Sequence, residues 1–137
     1  MTVMALLCLP GLGRVKAPIW DETYYIASTA RFHEGRTQFA SHPPLGIMLI
    51  AAGDMASGLN KGADWQAIGA NRAVPAEAMP TTFDYRGPRL APALFGVIAA
   101  GLFCLLMTQL TGSARAGAVL SLLFVADTAL LVQLRSA

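Results

Sequence analysis

From Leu90 to Leu110 the chain runs for 21 residues without a charged side chain, about the length an α-helix needs to cross the hydrocarbon core of a bilayer. Backbone in lipid must satisfy its own N–H and C=O groups, as a helix does. Its length and lack of alternation predict a membrane-spanning helix, with Pro92 placed in the first turn, where a missing N–H is tolerated. A tight turn at 111–116 follows, and Gly117 to Leu134 reads as a second span of 18 residues interrupted only by Asp127. Composition agrees: 13% of the residues are charged, against about a quarter in soluble domains.

The other apolar run, at the N-terminus, has no basic residue ahead of it and no small-residue cleavage pattern, so it is a poor secretory signal. Residues 1–13 are expected to be the last part of a first span whose beginning is missing. Gly11 and Gly13 break it, and Arg14 and Lys16 mark its exit into the interface. Cys8 and Cys104 lie in apolar segments without metal-ligand spacing and read as packing residues. The net charge of +2, with no basic run or basic-aromatic interleaving, excludes nucleic acid as a partner.

Between these runs lies the polar part of the chain, residues 14–89. Pro18-Ile19-Trp20-Asp21-Glu22 opens it, and a helix of about four turns is predicted from Asp21 to just before Gly35, with Arg31 and His33 in its last turn. Ser41-His42-Pro43-Pro44-Leu45-Gly46 follows, with His42 pushed towards an extended conformation by the prolines. Leu45 to Ala52 has helical spacing but is expected to stop at Asp54, too short to span and suited to the interface or to a re-entrant turn. The stretch from Gly58 to Arg89 is rich in turn formers; Trp65, Phe83 and Tyr85 are its expected interface anchors, and part of it is expected to pack over the site.

Adjacent helical carboxylates project about 100° apart, so Asp21 and Glu22 cannot address one atom symmetrically. One can serve as a general base while an Arg, a His or a backbone group holds the other. Alternatively, Asp21 caps the helix and Glu22 favours its dipole. His42 is a partner for phosphate or hydroxyl, or simply a polar residue at a helix start. No ligand spacing supports a metal site built from these residues. Asp127 faces protein or water, as a functional group or as a hydrogen-bonded carboxyl between helices. Arg135 either snorkels or binds lipid phosphate. Eight of the ten Lys and Arg residues lie between Arg14 and Arg89, but a translocated loop of this length is not governed by the positive-inside count.

Ile19-Trp20-Asp21-Glu22, His42-Pro43-Pro44-Leu45-Gly46, Arg89-Leu90 opening a span, and the run Ala126-Asp127 to Arg135 together resemble the N-terminal part of the protein O-mannosyltransferases. These are polytopic enzymes of the GT-C fold. The resemblance implies an all-α, polytopic integral membrane architecture in a bacterial plasma membrane or the endoplasmic reticulum membrane. One partial span is followed by an external loop (14–89), spans at 90–110 and 117–134 joined by a cytoplasmic turn, and an end at 135–137 where the family continues through remaining spans. It implies transfer of mannose, or a similar hexose, from a polyprenyl phosphate such as dolichyl phosphate to Ser or Thr hydroxyls of an acceptor protein, with membrane lipid as surroundings. Asp21 and Glu22 would be catalytic, and His42, Arg89 and Arg135 substrate-binding. No tightly bound cofactor is implied, and a divalent metal is not required by the scheme. The family usually has a lysine where this chain has Ile47. Two alternatives stand beside this reading: a GT-C transferase acting on a lipid or glycan acceptor, and an inactive membrane remnant or subunit that only packs against partner helices.

Overall fold

The computed structural model describes residues 1–38 and 44–136, so His42 and its neighbours 39–43 lie outside the described residues. Every regular element among the described residues is helical: α1 (Thr2–Cys8), α2 (Glu22–His33), α3 (Leu45–Ser57), α4 (Trp65–Ile68), a 3₁₀ turn (Ala76–Ala78), α5 (Arg86–Thr111), α6 (Ala114–Ala126) and α7 (Thr128–Gln133).

The long helix α5 is the axis against which α1, α3 and α6 pack. At 26 residues it extends about 39 Å at ~1.5 Å per residue, more than the roughly 30 Å of a hydrocarbon core. It starts four residues earlier than Leu90 because Pro88 falls in its first turn, where no intrahelical N–H bond is lost. Pro92 therefore sits inside the helix and not in its first turn. Leu94, Phe95, Ile98, Leu102 and Leu105 are exposed on its outer side. It is the only described helix both long and apolar enough to cross a membrane.

The apolar run after the turn is not one helix. Asp127 takes an extended conformation, and its Oδ1 accepts a hydrogen bond from the Leu130 amide at 2.9 Å, capping α7 and ending α6. The 13 residues of α6 and the 6 of α7 each fall short of a span. Short polar side chains compete with the helix for backbone partners, and here Asp127 wins that competition. The carboxyl is structural, as one of the two sequence readings had it, but it bonds within its own strand of chain and is exposed, not wedged between helices. The α5–α6 hairpin closes through Gly112 at φ +64° and stacks Phe103 on Phe124 at 5.0 Å.

Helix α3 buries Ile47, Ile50, Ala51 and Asp54, one face at helical spacing. Asp54 does not end it. The carboxylate is 2% exposed and accepts from Asn60 Nδ2 at 2.6 Å, while His33 Nε2 lies 3.4 Å away. With Asn60 donating to it, the buried carboxyl is tolerated inside the helix, and α3 runs on to a left-handed cap at Gly58.

The stretch after Gly58 folds back over α2. Ile68, Val74, Met79, Phe83 and Tyr85 join Ile26, Ala27 and Ala30 in one core. Phe83 and Tyr85 are therefore core residues and not interface anchors. They continue an aromatic series in which His33 stacks on Trp65 at 4.1 Å, Trp65 meets Phe83 edge-on at 6.0 Å and Phe83 meets Tyr85 at 5.1 Å.

Candidate active site

The Asp-Glu pair sits where the turn after α1 hands over to α2, and the two carboxylates have opposite surroundings. Glu22 is completely buried. Arg89, 1% exposed in the first turns of α5, donates to it twice, Nε to Oε1 at 2.8 Å and Nη2 to Oε2 at 2.7 Å. The paired, forked geometry is the strongest that a guanidinium and a carboxylate form. The remaining Arg89 donors go to backbone carbonyls: Nη1 to Leu12 at 2.9 Å and Val15 at 2.8 Å, Nη2 to Ala17 at 2.9 Å. A guanidinium has five N–H groups, and all five are taken. None remains to donate to a lipid phosphate in this conformation. Tyr85 lies under the guanidinium carbon, 4.7 Å from ring centre, and burial pushes its phenol pKa up.

Asp21 is exposed. Its backbone occupies the N-cap position of α2, and its carbonyl accepts from Tyr24 and Tyr25, but its side chain makes no cap hydrogen bond. The carboxylate is thus not spent on the helix. What holds the residue is the turn before it. Glu22 N–H donates to the Ile19 carbonyl at 3.0 Å, and Ile19 N–H donates back to Glu22 Oε2 at 2.7 Å. Within that reciprocal closure Trp20 is held at φ +52° while its side chain is 81% exposed. Left-handed backbone at a bulky residue costs about 1–3 kcal/mol and persists only where surrounding contacts over-determine it. Here the contacts are those of Glu22, itself clamped by Arg89.

Beside this turn a cavity of about 360 Å³ is walled by Leu12, Val15, Ile19, Leu131 and Val132, with Arg14 and Arg135 among its polar lining. Arg135 reaches back from beyond α7 and donates to the carbonyls of Pro10 at 3.2 Å and Gly11 at 3.3 Å. Gly11, at φ +80°, has no side chain to interfere. A methyl there would stand 2.9 Å from Arg14 Nε and 3.1 Å from Arg135 Nη2. Two guanidinium groups therefore converge on one point, and neither has an ion-pair partner among the described residues. Converging cations over apolar walls suit an anionic head on an apolar tail.

A family model described as dolichyl-phosphate-mannose-protein mannosyltransferase matches residues 2–137. The chain belongs to that family. No curated protein and no solved structure matches it. Membership makes it part of a family of membrane-bound mannosyltransferases, and one described helix, α5, meets the length and hydropathy needed to span.

In this mannosyltransferase-family chain the structure brings together Asp21, Glu22, Arg89 and the Arg135 end of α7, all around the turn that follows α1. His42 lies outside the described residues. Ile47 is 2% exposed. Arg14, expected to mark only the interface, lines the cavity beside this turn. The Gly11-x-Gly13-Arg14 spacing was the available signal, since glycines let charged side chains lie against a backbone turn.

Proposed function

We propose that this chain supplies the donor end of a membrane mannosyltransferase, which moves mannose from a polyprenyl phosphate to a Ser or Thr hydroxyl at the external or luminal face. Asp21 is the general base. The acceptor hydroxyl oxygen attacks the anomeric carbon, the bond from that carbon to the phosphate oxygen breaks with inversion, and the hydroxyl proton passes to the Asp21 carboxylate. The departing lipid phosphate carries the negative charge, which Arg14 and Arg135 balance, while the apolar walls of their cavity take the first part of the polyprenyl chain. Glu22 and Arg89 act by position: their clamp fixes the turn that presents Asp21. His42 stands as a further hydrogen-bonding group for phosphate or hydroxyl.

One observation carries this reading. Of two adjacent carboxylates, Glu22 is sealed and saturated, and Asp21 is open and uncommitted to its helix. Proton abstraction by a placed base contributes typically ~10²–10⁴-fold in rate. The test uses membranes carrying the protein, a radiolabelled polyprenyl-phosphate mannose donor and a Ser/Thr peptide. Asp21→Asn is expected to cut transfer by about two orders of magnitude or more with no fall in melting temperature. Near-normal transfer by that variant would move the base elsewhere, and label in a lipid or glycan fraction instead of the peptide would favour the other acceptor class.

The proposed multi-pass arrangement, with α5 crossing from the site to the Gly112–Ser113 turn, is tested by labelling. In a background with Cys8 and Cys104 replaced by alanine, a cysteine at exposed Lys61 is expected to react from outside and one at Ser113 from the cytoplasm. Reaction of both from one side would overturn the crossing.

A further inference from the structure

On the other side of the Gly11–Arg14 turn lies a second cavity, of about 410 Å³ and mostly polar. Arg14, Lys16, Arg86, Asp84, Thr81 and Thr82 are among its lining residues. The three cations face one carboxylate, and that carboxylate is already taken. Asp84 accepts from Arg86 Nε at 3.0 Å, from Arg86 Nη2 at 2.6 Å and from the Arg86 amide at 2.9 Å. The Arg86 stem is laid against Gly13, where a methyl would come within 2.9 Å of its Cγ. Arg14 and Lys16 have no ion pair among the described residues. The cavity thus has three cations to one carboxylate, with Lys16 lining this cavity and not the donor one, and two threonines among its lining.

Its height in the molecule is set by α5. Arg86 is the first residue of the one described helix suited to spanning, and Arg14 and Lys16 follow the apolar helix that packs beside it. Lysine and arginine at the end of a span stand at headgroup level. We propose that this cavity binds a phosphate ester at the membrane surface, with Lys16 as its free cation, Arg86 as a cation fixed by Asp84, and Thr81 and Thr82 as hydroxyl partners. The site borders the apolar donor cavity along Gly11 and Arg14, is told apart from it by Lys16 and Arg86, and does not rest on the transfer reaction.

The phosphate has two sources, the headgroup of an anionic lipid or a water-borne phosphate, and binding to the purified full chain in a neutral detergent separates them. The probes are short-chain phosphatidylglycerol, short-chain phosphatidylcholine and inorganic phosphate. Phosphatidylglycerol is expected to bind more tightly than phosphatidylcholine. Lys16→Ala is expected to weaken it about fivefold, what ~1 kcal/mol from one basic residue near an anionic surface amounts to, and Lys16→Glu to weaken it further. Lys61→Ala, an exposed lysine outside the cavity, and Arg135→Gln, in the neighbouring cavity, are expected to leave it unchanged. Displacement of the lipid by inorganic phosphate would identify the phosphate group itself as the ligand, and failure of displacement the lipid headgroup. Lys16 is exposed and unpaired, so both of its variants keep the fold, checked by circular dichroism. Binding of phosphatidylglycerol by Lys16→Glu as by the parent chain overturns the proposal, and so does equal weakening by Lys61→Ala. Loss in Arg135→Gln without loss in Lys16→Ala places the ligand in the donor cavity and also overturns it.

Discussion

Two arginines grip the same turn, and they are used differently. Arg89 brings its guanidinium into the protein, meets a buried carboxylate and three carbonyls, and ends with no free donor. Arg135 touches the Pro10 and Gly11 carbonyls at longer distances, has no carboxylate, and borders a cavity. The same side-chain chemistry is structural where every hydrogen bond is met inside the chain and free for a ligand where it is not. The carboxylates repeat the contrast one residue apart: Glu22 is the partner of the saturated arginine, and Asp21 is left open.

The largest effect is expected from breaking the saturated side. Arg89→Ala takes the guanidinium from buried Glu22 and leaves it only its remaining local contacts, such as the Ile19 amide, a loss of about 3–5 kcal/mol, comparable with the whole stability of many domains. Thermal unfolding in detergent should show it as loss of a cooperative transition. The double variant Glu22→Leu with Arg89→Met removes the stranded charge and is expected to recover part of that stability, but not all, because the Leu12, Val15 and Ala17 carbonyls stay unpaired. Full recovery would show that the carbonyl bonds contribute nothing.

On the open side, stability and activity should come apart. Asp21→Ala is expected to melt within about 0.5 kcal/mol of the parent, where an N-cap of ordinary strength would cost about 1 kcal/mol, while transfer falls by about two orders of magnitude or more. A stability loss of cap size would mean that the carboxylate bonds α2 after all. Arg135→Gln is expected to raise the donor KM about tenfold to a hundredfold, the equivalent of one charge-assisted hydrogen bond, with kcat much less affected. A change in kcat alone would take Arg135 away from donor binding.

The smallest effect concerns pH. The Arg86 side-chain hydrogen bonds hold the Asp84 carboxyl below its ordinary value of 3.8. A depressed carboxylate stabilises the fold above the unfolded value, and that stabilisation is lost as pH falls through the folded one. Parent and Asp84→Asn melting temperatures should therefore differ at neutral pH and converge below pH 3.8. A constant difference across that range would assign the effect to packing.

Much of this contrast was legible in part. The α2 start at Asp21-Glu22, its stop before Gly35 and the apolar run of α5 follow from local composition and period. That one member of the Asp-Glu pair would be held by an Arg, a His or a backbone group also follows, from the 100° between neighbouring helical side chains. Which one, and by what, does not. Arg89 stands 67 residues from Glu22, and nothing near it in sequence separates a buried clamp from a phosphate ligand. Asp54 reads as a helix stop because the group that hydrogen-bonds its carboxyl, Asn60, lies beyond the helix. Asp127 looked like a polar insertion in a span because helix continuity was read from hydropathy, whereas the break depends on its own backbone and cap geometry.

The separation of 67 residues from Glu22 to Arg89 also imposes an order in time. At about 5–20 residues per second of synthesis, the carboxylate waits roughly 3–13 s before its partner exists. Until then Glu22 lacks its guanidinium, and a carboxylate without one is costly in a bilayer interior. The arrival of Arg89 supplies that guanidinium. The clamp is thus complete only once α5 exists, and a defect in that helix would be felt first as Glu22 without its guanidinium.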